Sequence, residues 1–373
     1  MSLNKKKRLL ILSAVVGAGH VRAAESLTQV ASKKFGLKVD HVNFLDYVSP
    51  ELSKLIEKIW YLMVKYTPLI TKFTYESGKF NSNKWFKNLD NYLKLDFKKY
   101  RKLIEEYKPD IIISTHYLPA MIVSWMYKEM PINNGVVITD YTSHSMWVYP
   151  KNNRIFVACD QVIKELKKIG FKKENICVSG IPVRDVFLKP FNKNKLRKKL
   201  DLDLVKPTLL MMGGGDAVGP FVKILKSLSP YKKFFQLVVI AGKNKERQDN
   251  LKLKFNTFGF EGKVVGFVDN IDEYMKAADL LISKAGGLTT TEAITLGLPM
   301  LIVRPTPGQE DGNTDYLTKA KAGIYIKDIK EIGKIVNKVL KDPNKLKEMK
   351  RNLKKLAKPN ASETIIKEML NLP

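Results

Sequence analysis

The fold is decided by residues 283–310, which read SKAGGLTTTEAITLGLPMLIVRPTPGQE. Residues 279–282 before this stretch predict a buried strand, and the paired glycines Gly286 and Gly287 predict a tight turn. Residues 288–296 predict a helix, and residues 300–303 predict a second buried strand. Strand, glycine turn, helix and strand in this order indicate an open α/β sheet, in which ligands bind outside the carboxyl ends of the strands.

The turn at Gly286 and Gly287 favours an anionic ligand. The first backbone N–H groups of a helix have no partner within the helix, and the helix dipole is positive there, so this place suits a diphosphate. Glu292, one helix turn further, offers a carboxylate to the hydroxyls of a ribose. Gln309 and Glu310 follow the next strand and are expected at the same sheet edge. A plain turn would explain the two glycines alone, and a solvated helix residue would explain Glu292 alone. Neither explains why the glycines, Glu292 and the Gln309–Glu310 pair occur on consecutive βα units.

This combination of a glycine turn, a helix glutamate and a Gln-Glu pair resembles the nucleotide-sugar site of inverting GT-B glycosyltransferases. The PGQE tetrapeptide, residues 307–310, is similar to the glycerolipid branch of that family, which includes monogalactosyldiacylglycerol synthases and processive diacylglycerol glucosyltransferases and is related to the lipid II-forming N-acetylglucosaminyltransferase. The resemblance implies an α/β fold of two Rossmann-like, doubly wound domains that face each other across a cleft. It also implies donor-binding residues, namely Gly286, Gly287, Leu288, Thr289, Glu292, Gln309, Glu310 and, through backbone groups that would hold uracil, Val268.

Chain length and the resemblance together predict the domain organisation. At 373 residues the chain exceeds the roughly 250–300 residues at which single cores stop growing, so two domains are expected. We expect an acceptor- and membrane-binding domain over residues 1–187 and a Lys-rich linker over 188–206. A UDP-sugar-binding domain is expected over 207–357, followed by a helix over 358–373 that crosses back to the first domain.

A second glycine loop follows the first predicted strand, residues 9–16. It reads Gly17-Ala18-Gly19-His20 and precedes a predicted helix over about residues 21–35. An imidazole with a pKa near neutral can accept a proton from a hydroxyl at physiological pH, so His20 is a candidate general base, with Gly19 beside the acceptor. A histidine that merely fills space at a helix N-terminus is the alternative interpretation.

Residues 139–147, which read TDYTSHSMW, place Asp140, His144 and Trp147 in one loop after another predicted strand. The resemblance to the glycerolipid transferases is strong here, and it implies an acceptor site with Trp147 beside the acyl chains. Asp140 is the rival of His20 for the role of base, and the sequence does not choose between them. His116, after the strand predicted over residues 109–114, is the weakest candidate.

Two further motifs provide candidate phosphate ligands. Residues 180–184, GIPVR, are similar to a motif that the wider family has at its domain junction, which implies that Arg184 faces the donor phosphates with its directed donors. The second motif follows the strand predicted over residues 207–212, and its backbone is free to approach a phosphate or the sugar. It consists of Gly213, Gly214 and Gly215.

The chain is strongly basic, because 65 Lys and Arg against 37 Asp and Glu give a formal net charge of +28. This excess favours an anionic partner, and without a zinc pattern or an aromatic RNA-binding signature we expect no nucleic acid. Residues 54–108 hold 12 of the 36 aromatic residues, which suits an anionic membrane surface, although a helical subdomain with buried aromatics is the alternative. The candidate membrane contacts are Lys79, Lys84, Trp85, Phe86 and Lys87.

Cysteine content and hydropathy predict the cellular location. Cys159 and Cys177 lack C-x-x-C spacing, which favours a reducing compartment without disulfides. No apolar run approaches the ~18–20 residues of a spanning helix, and residues 9–16 are interpreted as a strand rather than as part of a signal peptide. We therefore expect a cytoplasmic protein that attaches peripherally to the inner face of the cell membrane.

The resemblance implies an inverting transfer of a hexose from a UDP-sugar to diacylglycerol, with no metal or other cofactor. Residues 201–203 match the D-x-D metal motif of GT-A transferases by letter, but no predicted buried strand precedes them, so we interpret the match as chance. A polyprenyl-linked cell-wall acceptor and a non-catalytic membrane-binding protein on the same fold are the alternatives. The sequence does not decide between UDP-galactose and UDP-glucose, between one and several sugar additions, or between oligomeric states.

Overall fold

A computed structural model describes residues 6–15, 18–48, 98–143, 151–168, 170–213, 219–303 and 309–372, together with residues 50, 53, 54 and 147. The chain forms two compact units. The first contains residues 1–184, 307–309 and 358–373, and the second contains residues 185–306 and 310–357.

The first unit is built on a parallel six-stranded sheet. Its strands are β1 (Arg8–Ser13), β2 (Lys38–Asn43), β3 (Ile111–Ser114), β4 (Asn133–Val137), β5 (Arg154–Val157) and β6 (Ile176–Val178). Their order is β2-β1-β3-β4-β5-β6, so the winding direction changes between β1 and β3. The helices described between these strands are α1 (Ala18–Phe35), α2 (Lys98–Tyr107), α3 (Tyr117–Met126) and α4 (Asp160–Lys168).

The second unit has its own parallel six-stranded sheet. Its strands are β7 (Thr208–Met212), β8 (Gln236–Ile240), β9 (Gly262–Val265), β10 (Leu280–Ser283), β11 (Met300–Val303) and β12 (Gly323–Ile326). The order β12-β11-β10-β7-β8-β9 is that of dinucleotide-binding domains, with the change of direction between β7 and β10. The helices are α5 (Asp185–Leu188), α6 (Lys193–Lys199), α7 (Phe221–Leu228), α8 (Lys245–Phe258), α9 (Ile271–Ala277), α10 (Gly287–Leu296), α11 (Gln309–Lys319), α12 (Ile332–Leu340) and α13 (Pro343–Leu356).

The core of the first unit is completed by the last helix, α14 (Ala361–Leu370). Its Ile365, Ile366 and Met369 are buried in one cluster with apolar side chains of β1 and β3. A Cβ atom on Gly135 of β4 would lie 2.6 Å from the sulfur of Met369, so the thioether rests directly on the strand backbone. This packing is why residues 358–373 belong to the first unit.

The core of the second unit requires glycine where two helices approach most closely. A Cβ atom on Gly333 of α12 would lie 2.0 Å from the carbonyl oxygen of Ser227 at the end of α7, so no larger residue fits. Gly297 ends α10 in the left-handed conformation with φ 63°, and its N–H donates to the carbonyl oxygens of Ala293 and Ile294. These glycines fix where the helices of this unit end and meet.

Residues 188–206, where a linker is expected, contain α6 and are grouped with the second unit. Arg197 of α6 is buried and donates to the carbonyl oxygens of Ala277 at 3.2 Å and Leu204 at 2.9 Å. Its guanidinium also pairs with the carboxylate of Asp279, 2.5 Å away. The lysines that predicted a linker accompany this buried ion pair, and the chain changes unit after Arg184 instead.

The D-x-D match at residues 201–203 is a turn. The carboxylate of Asp203 accepts hydrogen bonds from the backbone N–H groups of Val205 and Lys206, both at 2.7 Å. These bonds lower the pKa of Asp203. The side chain of Asp201 is fully exposed and lies 3.6 Å from Lys263. The interpretation of this motif as a chance match therefore agrees with the local geometry.

Among the described residues, no helix has both the length and the apolar content that crossing a bilayer requires. The predicted membrane contacts Lys79, Lys84, Trp85, Phe86 and Lys87 lie outside the residues that the structure describes.

Candidate active site

His20 lies at the point where the strand order of the first sheet changes direction. It is in the first turn of α1, directly after β1, while Thr115 follows the neighbouring β3 and Thr139 follows β4. The carboxyl ends of parallel strands meet at one sheet edge, so these three residues converge. The Nδ1 atom of His20 lies 2.8 Å from the carbonyl oxygen of Thr115 and 3.0 Å from the hydroxyl oxygen of Thr139.

These contacts assign the tautomer of His20. A carbonyl oxygen can only accept a hydrogen bond, so the Nδ1 atom beside Thr115 carries the proton and donates it. The Nε2 atom then holds the lone pair. The hydroxyl of Thr115 in turn donates to the backbone carbonyl of His20 at 2.9 Å, so one residue holds both the ring and its backbone. His20 is thus oriented as a neutral nitrogen base.

The acidity of His20 differs from the near-neutral value that the sequence predicted. Burial lowers the pKa of His20 from 6.5 to about 4, because the charged ring loses its hydration. The hydrogen bond to the Thr115 carbonyl favours the charged form and offsets part of this effect. The imidazole is therefore neutral throughout the physiological pH range.

Aromatic rings enclose His20. The ring of His116 packs edge-on at 4.5 Å between centroids, and Trp147 lies 6.3 Å from both histidines. Tyr117 completes the cluster 4.3 Å from His116 and 6.0 Å from Trp147. His116 also caps α3, since its Nδ1 atom accepts the N–H of Leu118 at 3.2 Å. This cap explains His116 structurally and sets it apart from His20.

Trp147 is only 2% exposed, and its ring forms a wall of the histidine cluster. Asp140 is buried directly after Thr139, and Gly19 precedes His20 in the first turn of α1. The predicted acceptor residue His144 lies outside the described residues. The acceptor roles of Gly19, His144 and Trp147 stay predictions.

In the second unit the strand order changes direction between β7 and β10, and a small cleft of about 10 Å³, room for about one water molecule, lies there. The cleft is lined by Gly213 after β7, by Pro220 and Phe221 at the start of α7, by Lys284 after β10 and by Val303 at the end of β11. The two glycines that follow Gly213 in the predicted phosphate loop, Gly214 and Gly215, lie outside the described residues. The cleft occupies the sheet edge at which the sequence predicted a nucleotide.

Helix α10 begins at this edge without a side-chain cap. Its N-cap residue is Gly286, with φ −62° and ψ 143° and no side-chain hydrogen bond to the helix. The N–H of Thr290 donates to the carbonyl of Gly286 at 2.8 Å and closes the first turn. The N–H groups of Gly287, Leu288 and Thr289 precede that bond and point out of the helix end. This arrangement has the donors that an anion requires.

Two carboxylates near this helix end are buried. Glu292, one turn into α10, is 8% exposed, so it is not the solvated residue of the alternative interpretation. Glu310, at the start of α11, is 7% exposed, and its carboxylate pairs with the ammonium of Lys284 at 3.2 Å. A Cβ atom on Gly286 would lie 3.9 Å from the same carboxylate oxygen. Glu310 therefore reaches the glycine turn.

Lys284 and Asn313 are site residues that the sequence analysis missed. The side-chain amide of Asn313 in α11 is buried and donates to the carbonyl of Ala285 at 2.8 Å. Together with the pair of Lys284 and Glu310, this bond joins the start of α11 to the turn before α10. A signal was present in the sequence, since a lysine two residues before a glycine turn at a sheet edge is placed to meet an anion.

The remaining predicted donor residues are Val268, Arg184 and Gln309. Val268 is half-buried after the edge strand β9, and Arg184 is half-buried directly before α5. Gln309 is the first residue of α11, and its side chain lies outside the described atoms. Within the part of the chain that the structure describes, no group of three or more His, Cys, Asp or Glu side chains is placed to hold a metal ion.

Comparison with known proteins identifies the family. The family model described as monogalactosyldiacylglycerol (MGDG) synthase matches residues 20–183, and the model of the glycosyltransferase family 28 C-terminal domain matches residues 208–365. The chain is 32% identical over 374 residues to the processive diacylglycerol beta-glucosyltransferase of Bacillus licheniformis, covering 99% of this chain and 96% of that protein. The chain belongs to this glycosyltransferase family. The enzyme of the same name from Bacillus subtilis is likewise 32% identical, over 375 residues.

Solved structures give the fold of this glycosyltransferase. Acinetobacter baumannii MurG matches with a TM-score of 0.63 at 14% identity, covering 98% of this chain and 100% of that one. Anabaena Alr3699/HepE in complex with UDP and glucose matches with a TM-score of 0.60 at 13% identity, with the same coverage. At this identity the likeness establishes the fold, which is the predicted GT-B fold. The family and fold predictions from the sequence are confirmed.

Proposed function

We propose that this chain moves a hexose from a UDP-sugar to the free hydroxyl of a diacylglycerol-type membrane lipid, with inversion to a β-glycosidic bond. The names of its full-length Bacillus relatives and the complex of a structural neighbour with UDP and glucose support this proposal. The observation that carries it is the hydrogen bond from Nδ1 of His20 to the Thr115 carbonyl, which leaves the lone pair on Nε2.

The reaction needs one proton acceptor and one stabilised leaving group. The acceptor hydroxyl oxygen attacks the anomeric carbon while its proton passes to Nε2 of His20. The bond from the anomeric carbon to the diphosphate oxygen breaks, and UDP leaves with the electron pair from the opposite face. The Thr115 carbonyl, 2.8 Å from Nδ1, stabilises the imidazolium that forms. Asp140 is the alternative base in the same unit.

The donor would be held by the second unit. We assign the diphosphate to the uncapped N–H groups at the start of α10 and to the ammonium of Lys284, which stabilise negative charge as UDP leaves. Glu292 would bind the ribose, and Glu310, oriented by Lys284, would bind a sugar hydroxyl. Further donor contacts are proposed for Gly213, Gly214, Gly215, Arg184, the backbone at Val268 and Gln309.

The setting that we propose is the cytoplasmic face of the cell membrane, where a diacylglycerol acceptor is located. The proposal depends on the aromatic and Lys-rich residues 54–108, of which residues 55–97 lie outside the described part of the chain. Anionic lipid is the partner that their composition favours.

The test is product formation by the purified full-length chain. Diacylglycerol vesicles are offered with UDP-glucose or UDP-galactose, UDP release is measured, and lipids are identified by mass spectrometry. We expect UDP release in proportion to glycosyldiacylglycerol, and the masses report how many sugars are added. A polyprenyl-linked acceptor is offered in parallel. Absence of UDP release from every UDP-hexose, or preference for the polyprenyl acceptor, contradicts the proposal.

A further inference from the structure

Helix α13 has one face that is fixed in the core of the second unit. Met349 and Leu353 are fully buried, Met349 within the apolar cluster of the second unit, and Leu346 packs on that cluster. These residues recur at spacings of three and four, so they occupy one side of the helix. The rotation of α13 about its axis is therefore set by core packing.

The opposite face of α13 is a stripe of cations. Lys347, Lys350, Arg351, Lys354 and Lys355 are all exposed. Their spacings of three, four, seven and eight residues keep them on the side opposite Met349 and Leu353. At ~1.5 Å per residue the stripe is about 12 Å long. We call these five residues the cationic stripe.

The cationic stripe keeps a net positive charge, because its five cations have one carboxylate of the same helix, Glu348, beside them. Its members form no ion pair within 4.0 Å among the described residues. The acidic residue of α13, Glu348, pairs with Lys345 at 3.0 Å. It also lies three residues before Arg351 and interacts with the charge of that guanidinium. Like charges four residues apart, such as Lys347 with Arg351 and Lys350 with Lys354, repel and weaken a helix. A partner of opposite charge would remove this repulsion.

We propose that the cationic stripe docks the second unit on the anionic headgroups of a membrane. This inference rests on the proposed function, because the lipid acceptor is located in that membrane. A straight row of cations fits a plane of negative charge, and each Lys or Arg near an acidic bilayer strengthens binding several-fold. The contact is additional to the one predicted for residues 54–108.

The composition of α13 favours lipid headgroups over nucleic acid. The helix contains no aromatic residue on which a base could stack, whereas proteins that bind single strands combine cations with aromatic rings. It also has no large exposed hydrophobic side chain to insert between acyl chains. Docking by charge without insertion should depend strongly on salt, because the Debye length shortens from ~10 Å at 0.1 M to ~3 Å at 1 M.

The test is vesicle binding by the full-length chain in the absence of donor and acceptor. Vesicles of phosphatidylcholine, with and without one third phosphatidylglycerol, are floated at 0.1 M salt. The variant Lys347→Gln/Arg351→Gln/Lys354→Gln should bind the anionic vesicles on the order of 10²-fold more weakly than wild type. The charge-preserving variant Lys347→Arg/Arg351→Lys/Lys354→Arg should bind like wild type, since both side chains keep their charge.

The control variant removes the same number of positive charges, three, from another helix of the second unit. Lys245, Lys252 and Lys254 belong to α8, and their replacement by Gln should leave vesicle binding within about twofold of wild type. A melting curve for each variant shows whether it is folded, since the replaced side chains of the stripe are exposed.

Three outcomes overturn the proposal. They are equal vesicle binding by wild type and the stripe variant, equal loss in the α8 control, and a stripe variant that loses binding to a single-stranded RNA but keeps vesicle binding. Turnover with a short-chain, water-soluble acceptor is measured in parallel. Absence of that turnover in wild type would contradict the proposed function without bearing on the vesicle result.

Discussion

At the scale of single residues, His20 shows how a backbone carbonyl can determine which ring nitrogen of a histidine is free to accept a proton. The Thr115 carbonyl takes the Nδ1 proton, so the lone pair has to be on Nε2. Replacing His20 by Ala should lower kcat by the ~10²–10⁴ typical of a lost general base and leave UDP affinity near normal. Steady-state kinetics and calorimetry with UDP measure the two effects.

The matched control for this variant is His41→Ala. His41 is also half-buried in the first unit, and its Nε2 atom lies 2.8 Å from the hydroxyl of Ser13. Its removal should lower stability and leave kcat near wild type. Near-normal turnover in His20→Ala would instead favour Asp140 as the base.

The pKa of His20 predicts an unusual pH dependence. Because burial lowers the pKa from 6.5 to about 4, kcat/KM should fall with acid only around pH 4, provided that neutral His20 is the base. Between pH 6.5 and about 4 the unfolded chain binds more protons at this site, so His20 makes the free energy of unfolding fall as the pH falls. Kinetics with a water-soluble acceptor and denaturant titrations across this window check both, and an acid limb near pH 6.5 would refute the first.

Replacing Lys284 tests the role of Glu310 in donor binding without changing Glu310 itself, because the two side chains form an ion pair. Lys284→Met should raise the KM for UDP-hexose roughly 10- to 100-fold, because the buried Glu310 carboxylate loses a charge-assisted hydrogen bond. In a double-mutant cycle with Glu310→Gln the two effects should not add. Lys319→Met, which breaks the exposed pair with Asp315 on the same helix, is the control and should leave KM unchanged.

At the scale of elements, the glycine turn before α10 is a place where a substitution should change UDP affinity without changing the stability of the fold. An alanine Cβ at Gly286 would meet Glu310 at 3.9 Å, an ordinary contact, and φ is −62°. Gly286→Ala should therefore leave stability within about 1 kcal/mol of wild type, yet lower UDP affinity at least about tenfold by filling the space before the helix end. Calorimetry with UDP and denaturant unfolding measure the two quantities.

Gly297→Ala, at the other end of α10, should have the opposite effect, lowering stability but not UDP affinity. Gly297 has φ 63°, which costs a residue with a Cβ atom about 1–2 kcal/mol. Stability should fall by that amount and UDP affinity should not change. If Gly286→Ala behaved like Gly297→Ala, the turn would be only a structural feature.

Periodicity and glycine punctuation were sufficient to predict most elements. The strand predicted over residues 300–303 is observed as Met300–Val303, and the strand predicted over residues 207–212 is observed as Thr208–Met212. The edge strand β12 was missed because four residues between helices show no usable period. Composition does not reveal that Arg197, in the segment expected to be a linker, pairs with Asp279. The tautomer and the lowered pKa of His20 depend on a contact across 95 residues, which no local pattern encodes.

At the scale of the whole molecule, two cores predict two unfolding transitions rather than one. Met369→Ala should destabilise the first unit and Met349→Ala the second, each by about 2–5 kcal/mol, because both side chains are fully buried. UDP identifies the transitions, since a ligand raises the stability of the unit that binds it. Calorimetric scans with and without UDP should show that Met349→Ala lowers the UDP-sensitive transition and Met369→Ala the other. One shared shift would contradict two independent cores.

The packing of α14 on the first sheet also sets the order of events during synthesis. All six strands of that sheet lie within residues 8–178, yet Ile365, Ile366 and Met369 are translated after the entire second unit. On the ribosome the first unit therefore emerges with its sheet incompletely covered, while the second unit, residues 185–357, can fold before α14 emerges. The unit that is made first is the last to be finished, and its apolar face requires protection from aggregation for the whole of that interval.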